Sequence, residues 1–300
     1  MRAKDMAPNP AVRLAPQGGA SKLAAARRLL GPTGKALAVA VVLFWSLAPI
    51  VFMVMSSVKP GQDIFAVPPH WRFVPTLQHY VALWTKWQPF FRGLVSSLIV
   101  TAGATALVIV ASTMAGFAYS RTRTPFLQRS ATFLIVVRLL PPIVVTLPLF
   151  GVVNALKLND THLILILLYA TFFVSLGTIL MRTFIDQIPY ELDEAAMVDG
   201  ASRATILWTI IRPLAKQGML AVSVFVIVYA WNEFLFAFIF TSTKAKTAPL
   251  VISEMMGSLD GVDWGVLFAA STVQLLPVLL FVMLMQKHLV AGLTGGAVKG

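Results

Sequence analysis

Six long runs of apolar residues follow one another along the chain. About 20 mostly apolar residues are needed to cross about 30 Å of hydrocarbon, and each run is that long. Because no water satisfies backbone groups within lipid, each run is expected to be helical. The pattern therefore predicts an all-α, polytopic membrane protein with six transmembrane helices. The runs are Ala36–Ser57, Leu94–Ala118, Ser130–Val152, Leu163–Met181, Gly218–Phe240 and Gly265–Gln286.

The stretches between these runs divide the chain into a tail, a membrane domain and two long connections. Residues 1–34 form a basic tail rich in Ala, Pro and Gly, which we expect to be disordered. Residues 35–300 form the six-span domain, with a core at about 92–287. The two connections are the outer segment, residues 58–93, and the inner segment, residues 182–217.

Aromatic residues are concentrated in the outer segment, which contains Trp71, Tyr80, Trp84 and Trp87. Trp and Tyr are enriched where membrane helices meet water, so these residues can form an anchoring belt. The same residues can form a docking surface for an external partner. The sequence favours neither interpretation.

The inner segment is predicted to form two short helices joined at Gly200, because glycine takes left-handed backbone angles at little cost. Pro189 can open the first helix, since a first-turn residue needs no N–H. Three carboxylates then fall near the positive end of that helix. The second helix starts at about Ala201 and breaks near Pro213. Such a segment is either an amphipathic connector or a lever gripped by a cytoplasmic protein. The three carboxylates are Glu191, Asp193 and Glu194.

Composition supports the membrane assignment, and charge predicts an orientation. The chain is 58% hydrophobic and 12% charged, whereas soluble proteins carry about 25% charge. Of the 24 Lys and Arg residues, 16 flank the runs on the side of the tail, seven lie on the opposite side, and Arg138 lies within a run. Basic residues are retained in the cytoplasm, so both chain ends are predicted inside. The net charge of +12 is thus explained without nucleic acid, for which no binding motif is present.

Motifs for covalent chemistry are absent from the sequence. The nearest run to a phosphate-binding loop, residues 31–35, has the wrong spacing and no hydroxyl after the lysine. Four scattered histidines and no cysteines make neither a metal cluster nor a disulfide framework. No G-x-S-x-G elbow is present. We therefore expect that this chain is not an enzyme and that it binds no cofactor.

Two polar residues within the fifth run, together with the preceding Trp231, are candidates for a transport pathway. Asn232 and Glu233 follow Trp231, and charged residues inside a membrane are costly unless they face a partner or a watery cavity. They either make a helix–helix hydrogen bond or line a polar pathway for a hydroxyl-rich solute. Prolines remove backbone hydrogen bonds, so the prolines from Pro141 onward are expected to bend the third run. For Arg138, which precedes them, we favour a backbone carbonyl freed by a proline as its partner.

One motif in the inner segment resembles a known family. The sequence Glu194-Ala195-Ala196, then Gly200, then Ile210-Ile211-Arg212-Pro213 matches E-A-A, three residues, G, nine residues, I-x-L-P. That is the EAA motif of permease subunits in bacterial ABC importers. Arg212 departs from the pattern, which usually has Leu there.

Further phrases are similar to the carbohydrate-uptake branch of that family, in particular to its maltose-type six-span subunit. The similarity runs from about Ala36 to the last residue. The phrases are Leu140-Pro141-Pro142 with Pro148-Leu149, Ile188-Pro189-x-Glu191-Leu192-x-Glu194-Ala195-Ala196, Trp231-Asn232-x-Phe234, and the ending Gly292–Gly300.

The resemblance implies a type I ABC importer transmembrane domain in the cytoplasmic (inner) membrane, forming half of a pathway for a sugar or sugar-like solute. Its partners would be a second related permease, two copies of an ABC ATPase that carry ATP and Mg, an extracytoplasmic sugar-binding protein and membrane lipid, with no nucleic acid. Residues implied to contact the ATPase are Glu194, Ala195, Ala196, Met197, Val198, Gly200, Ala201 and Pro213.

Helical spacing places Glu194, Met197, Val198 and Ala201 on one face of the first short helix, predicted over Pro189–Asp199. The alternative function is an ion-coupled secondary transporter, which often has broken helices and inverted repeats. The proline-rich third run is compatible with it, but no matching second half is found.

Overall fold

The structure, a computed structural model, describes residues 31–122, 124–258 and 261–295, with side chains except at 128 and 287–295. Most of the basic tail, Arg123 and the end of the Gly292–Gly300 motif lie outside the described residues. Every regular element in the described part is a helix.

Twelve helices and one short 3₁₀ turn, Gly61–Asp63, are described. In chain order the helices are α1 Pro32–Ser57, α2 Gln78–Lys86, α3 Gln88–Arg121, α4 Pro125–Arg138, α5 Pro142–Ala155, α6 His162–Ile185, α7 Glu191–Val198, α8 Arg203–Leu214, α9 Lys216–Trp231, α10 Leu235–Phe240, α11 Ala248–Met256 and α12 Trp264–Gly295.

Four of these helices, α1, α3, α6 and α12, are long and apolar enough to cross a membrane. Two further spans result if each bent pair, α4 with α5 and α8 with α9, counts as one. The six predicted runs therefore correspond to four long helices and two bent pairs. The chain divides into two compact units, residues 1–52 and 53–300. The described part of the first unit is α1 up to residue 52, and the second unit contains the end of α1 and the other helices.

The third predicted run is bent by 97° between α4 and α5. Pro141 and Pro142 supply no backbone N–H at this point, so the ladder of helical hydrogen bonds cannot continue through them. The expected bend is therefore confirmed. The Arg138 guanidinium lies 5.9 Å from the centre of the Phe172 ring, and its Nη1 has no hydrogen-bond partner among the described residues. The expected carbonyl partner is thus not found for that nitrogen.

The fifth run was predicted as one continuous helix, which is wrong. Helix α9 ends at Trp231, and α10 starts only at Leu235. Side chains at the break take over backbone hydrogen bonds. Asn232 Nδ2 donates to the Val228 carbonyl (2.7 Å), and the Glu233 carboxylate accepts from the Phe236 N–H (3.0 Å). The two polar residues therefore cap two helices instead of projecting from one.

Small residues let α3 and α6 approach closely in the core. A Cβ added at Gly116 would lie 2.8 Å from Met181 Cβ, and one added at Gly177 would lie 2.9 Å from Ser112 Cβ. Close backbone approach at small residues is a usual means of packing membrane helices, since lipid provides no hydrophobic drive between them. Helices α3 and α6 therefore form the central pair of the second unit.

Contacts between connections support the alternating direction of the spans. At one end of the bundle, the Asp160 N–H donates to the Phe240 carbonyl (2.8 Å), and Ala248 N–H donates to Ser97 Oγ (3.0 Å). These residues lie in or beside connections predicted to be outside. At the other end, Arg121 meets the inner segment at Asp193. The loops predicted on each side are thus gathered together, as a six-span path requires.

Candidate functional site

The E-A-A part of the inner-segment motif lies on α7, a short helix of eight residues. It starts at Glu191, so the predicted start at Pro189 was two residues early. Tyr190, whose carbonyl accepts from the Asp193 N–H (2.9 Å), provides the N-terminal cap position instead. The three carboxylates lie in the first turn, as predicted, where the helix dipole favours negative charge.

Gly200 ends this helix with φ of +81°. Its N–H donates to the Met197 carbonyl (3.0 Å), and the Ala201 N–H donates to the Ala196 carbonyl (2.9 Å). These two bonds form a Schellman motif, which places a left-handed residue just after the helix and suits glycine. The predicted stop at Gly200 is confirmed. A Cβ added there would meet nothing within 4 Å in this chain, so the surface around Gly200 is open.

The residues after the first turn of α7 divide between an exposed side and a packed side. Glu194, Ala195, Met197 and Val198 are exposed, and Val198 most of all at 88%. Ala196 is partly buried against the hydrophobic core.

Ala201 also packs against the core. The prediction that it shares a face with Glu194, Met197 and Val198 is therefore wrong. The physical reason is the left-handed turn at Gly200, which takes the chain out of helical register before Ala201.

Helix α8 returns the chain to the membrane and bends by 76° into α9. Ser202 caps its start by accepting from the Thr205 N–H (3.2 Å). Pro213 has no N–H for the carbonyl four residues earlier, and the preceding residues, Ile206–Ile211, widen into a π-helix. The predicted break near Pro213 is confirmed. Arg212, where the motif usually has Leu, places its guanidinium 5.9 Å from the Trp208 ring centre.

A buried ion pair joins α7 to the end of α3. Arg121 Nε donates to Asp193 Oδ2 at 2.7 Å, and both side chains are almost fully buried. Arg121 Nη2 also donates to the Ile188 carbonyl (3.0 Å), and the guanidinium lies 5.5 Å from the Tyr190 ring centre. A groove of about 820 Å³ lies beside the pair, with Arg182 and Tyr190 among its lining residues.

The pathway candidates lie at the break between α9 and α10. Asn232 is exposed, whereas Trp231 is only 3% exposed and donates through Nε1 to the Gln274 carbonyl (3.1 Å). Trp231 therefore packs α9 against α12 and lines no open surface here. The Glu233 carboxylate accepts from the Phe236 N–H at 3.0 Å, so it lies at the start of α10.

A second carboxylate organises the opposite end of the bundle. Asp160 accepts hydrogen bonds from the four successive backbone N–H groups of residues 242–245 and from the hydroxyls of Ser242 and Thr243, at 2.8–3.2 Å. Partial burial raises the pKa of Asp160, but the hydrogen bonds from Lys244, Ser242, Ala245 and Thr243 outweigh burial and lower that pKa far below its ordinary value.

The sequence analysis predicted neither the Arg121–Asp193 ion pair nor the hydrogen bonds of Asp160. Arg121 entered only as a positive charge beside the membrane, and Asp193 only as a helix-dipole partner. They are 72 positions apart, so no local spacing relates them. Asp160 gave no sequence signal, because most of its hydrogen bonds come from backbone N–H groups, which no side-chain pattern marks. Among the described residues no group of three or more His, Cys, Asp or Glu side chains could hold a metal ion.

Comparison with known proteins gives one family and many relatives of similar length. Residues 109–295 match the family described as binding-protein-dependent transport system inner membrane component. A probable ABC transporter permease protein, y4oR of Sinorhizobium fredii, is 35% identical over 268 residues, covering 86% of this chain and 94% of that protein. The trehalose/maltose transport system permease protein MalG of Thermococcus litoralis is 31% identical over 276 residues, covering 91% and 98%.

The trehalose transport system permease protein SugB of Mycobacterium tuberculosis is 31% identical over 264 residues, covering 86% of this chain and 94% of that protein. Among solved structures, a chain of a bacterial ABC transporter involved in the import of the acidic polysaccharide alginate superposes with a TM-score of 0.71. It shares 19% sequence identity and covers 84% of this chain and 94% of that chain. The predicted all-α fold of an ABC importer transmembrane domain is thereby confirmed.

Proposed function

This chain belongs to the family of binding-protein-dependent transport system inner membrane components, and from that membership we propose how it works. It forms half of the translocation pathway of an ATP-driven importer for a sugar or sugar-like solute, and a separate ATPase supplies the energy. The observation that carries the proposal is the inner segment, where α7 exposes Glu194, Met197 and Val198 and ends at Gly200 with open space around it. The chain itself performs no covalent chemistry.

The solute class is inferred from relatives of nearly full length. Their names specify trehalose, trehalose/maltose and diacetylchitobiose. Asn232 and Glu233, at the break between α9 and α10, are proposed to contribute polar groups to the pathway. The exposure of the Asn232 side chain, at the break within the fifth run, supports this role. Trp231, buried in this conformation, is proposed to hold the break in place.

The partners are proposed from surfaces that this chain leaves open. Two copies of an ABC ATPase, carrying ATP and Mg, would bind from the cytoplasm, one of them on α7. A second related permease and lipid would cover apolar side chains on α4 and α5 such as Phe133 and Leu147, which are 63% and 68% exposed. An extracytoplasmic sugar-binding protein would dock at the outer end, where a groove of about 510 Å³ is lined by residues that include Trp87 and Asp263.

The orientation is part of the proposal. The Lys and Arg bias of 16 to seven supports both termini in the cytoplasm. The inner segment then faces the ATPase, and the outer segment faces the binding protein. No relative reported above favours the ion-coupled alternative, since those with a named function are ABC transporter or transport-system permeases.

The proposal is tested with the assembled transporter in lipid nanodiscs. The complex is purified with its partner permease and ATPase, and ATP hydrolysis is measured with and without the binding protein and a panel of sugars that includes trehalose and maltose. We expect hydrolysis to rise only when binding protein and a cognate sugar are both present. A complex with a hydrolysis-deficient ATPase subunit is the control. Sugar uptake that follows an ion gradient and ignores ATP would contradict the proposal.

A further inference from the structure

Helix α7 is attached to the membrane domain by a buried ion pair as well as by the apolar contact of Ala196. Of the eight residues in this helix, the buried one is Asp193, at 3% exposure. Its Oδ2 accepts from Arg121 Nε, while its Oδ1 has no hydrogen-bond partner among the described residues. A short helix that docks on a membrane domain would ordinarily bury an apolar side chain. Here the most deeply buried side chain of the helix is a carboxylate that accepts its hydrogen bond from one guanidinium.

The Arg121 guanidinium contacts the segment that leads into α7 at three places. Nη2 donates to the Ile188 carbonyl before the helix, the guanidinium carbon lies 5.5 Å from the ring centre of Tyr190 at the helix cap, and Nε donates to Asp193 in its first turn. The rigid planar fork of arginine suits such a three-point contact, which a lysine could not reproduce. Residues 188–193 are therefore fixed as one unit to a single side chain.

Arg121 is the last residue of α3, and this position gives the contact its consequence. Helix α3 has 34 residues and packs closely on α6 at Gly116 and Gly177. A displacement of α7 is thus delivered to the end of a long helix in the centre of the fold. Low exposure protects the ion pair from screening by salt, so the contact keeps its strength.

We propose that Arg121 is a positioning residue for energy coupling: its ion pair with Asp193 transmits movement of α7 to α3 and so to the transport pathway. The proposal rests on the proposed function, in which the ATPase binds α7. It assigns Arg121 no contact with solute, ATP or the ATPase. Its effect is expected on the link between hydrolysis and transport and not on assembly.

The chain offers a matched control in the same region. Arg182 Nε lies 3.5 Å from Asp186 Oδ2, one helical turn away, and both side chains are about half exposed. Exposed pairs of this kind contribute little, because water and salt screen them. Arg182→Gln removes one positive charge from the same end of the bundle, as Arg121→Gln does, but leaves the buried pair intact.

The experiment compares Arg121→Gln, Asp193→Asn, Arg182→Gln and the exchange Arg121→Asp with Asp193→Arg in the complete transporter. Three quantities are measured: the amount of permease in the membrane, the ATPase that copurifies with it, and sugar uptake. The single variants at the buried pair should keep the ATPase yet lose uptake by about tenfold or more, the size typical of a broken coupling between sites. Arg182→Gln should match wild type, and the exchange should recover part of the uptake.

Other results would overturn the proposal. Normal uptake in Asp193→Asn would show that the pair transmits nothing. Loss of the copurified ATPase in step with uptake would make Asp193 a docking residue. Low membrane abundance that the exchange does not restore would leave the pair a folding role alone. A wild-type complex that ignores sugar and binding protein would instead contradict the proposed function, so the two failures are distinguishable.

Discussion

Two aspartates fasten connections at opposite ends of the same bundle, and they do so by different chemistry. Asp193, at the inner end, is buried and bound by the single side chain of Arg121. Asp160, at the outer end, gathers four successive backbone N–H groups from residues 242–245 and two hydroxyls. Both are carboxylates in connections between spans, yet one joins helix to helix and the other organises a loop.

The difference shows what each end is built to do. Backbone donors are present whatever the side chains are, so the Asp160 contact holds the outer connection in a fixed shape through many bonds. The Asp193 contact depends on one guanidinium at the end of a long helix, so a single substitution can break it. In the proposed coupling, the connection at Asp160 keeps its shape while the inner segment moves with the ATPase.

The comparison fails entirely if the two ends are assigned to the wrong sides of the membrane. The chain has no native cysteine, so single cysteines can be labelled in right-side-out vesicles with a membrane-impermeant thiol reagent. Lys244→Cys should label at once, and Lys216→Cys only after permeabilisation. Within the membrane, Asn232→Cys should react and change its rate with ATP, whereas the buried neighbour Ala230→Cys should not. The opposite labelling of the two lysine positions would reject the orientation.

Two glycines give the next largest effect and separate backbone strain from partner binding. Gly200 and Gly261 have φ of +81° and +87°, and a Cβ at either would meet nothing within 4 Å. Valine should therefore cost each about 1–2 kcal/mol of backbone strain. Because Gly200 follows α7 directly, Gly200→Val should also lose ATPase and reduce uptake by about tenfold or more, while Gly261→Val keeps the ATPase. Both should reach the membrane in normal amounts.

Equal retention of the ATPase in the two glycine variants would mean that Gly200 contributes only its backbone angle. A milder loss is expected for Glu194→Ala, whose side chain is exposed on α7, if it pairs with a basic residue of the ATPase. Membrane abundance, copurified ATPase and uptake are the measurements for all three variants.

The smallest effect is expected at Asp160, because its many partners can turn to water. Asp160→Asn keeps the shape of the side chain but removes its charge. Asparagine also tolerates the left-handed φ of 57° at this position. Hydrogen bonds to charged groups contribute about 1.5–3 kcal/mol, but water replaces part of this at a partly exposed carboxylate. We therefore expect the free energy of unfolding to fall by about 1 kcal/mol, measured by thermal denaturation. Ser242→Ala, which removes one hydroxyl donor, is the control and should change little.

The direction of the pKa shift of Asp160 determines how the loss of stability depends on pH. The pKa of folded Asp160 lies below its ordinary value of about 3.9, so its contribution is present above pH 4 and is lost as the pH falls towards the folded value. The gap between wild type and Asp160→Asn should be constant from about pH 5 to 8 and shrink below about pH 4. A gap that persists at low pH would show that the charge is not the cause.

Much of the fold could be predicted because its determinants are local. Run length identified the spans, Pro141 and Pro142 indicated the bend in the third, and Gly200 marked the end of α7. The prediction of one continuous helix over the fifth run was wrong for an equally physical reason. Hydropathy reads Trp231–Phe234 as a continuation, and only the hydrogen bonds of Asn232 and Glu233 reveal two helix ends. The start of α7 and the place of Ala201 were wrong because neither cap geometry nor register after a left-handed turn follows from spacing.

The sequence by itself determined that the chain crosses a membrane, how many times it can do so, and which family it resembles, since apolar length, charge bias and the EAA spacing are properties of contiguous residues. The tertiary structure alone decided that Arg121 binds Asp193 and that Asp160 binds the loop at residues 242–245. These contacts join positions 72 and more than 80 apart, where no periodicity operates. They arise because packing α3 against α6 brings distant chain segments together and leaves a buried charge that only a specific partner can stabilise.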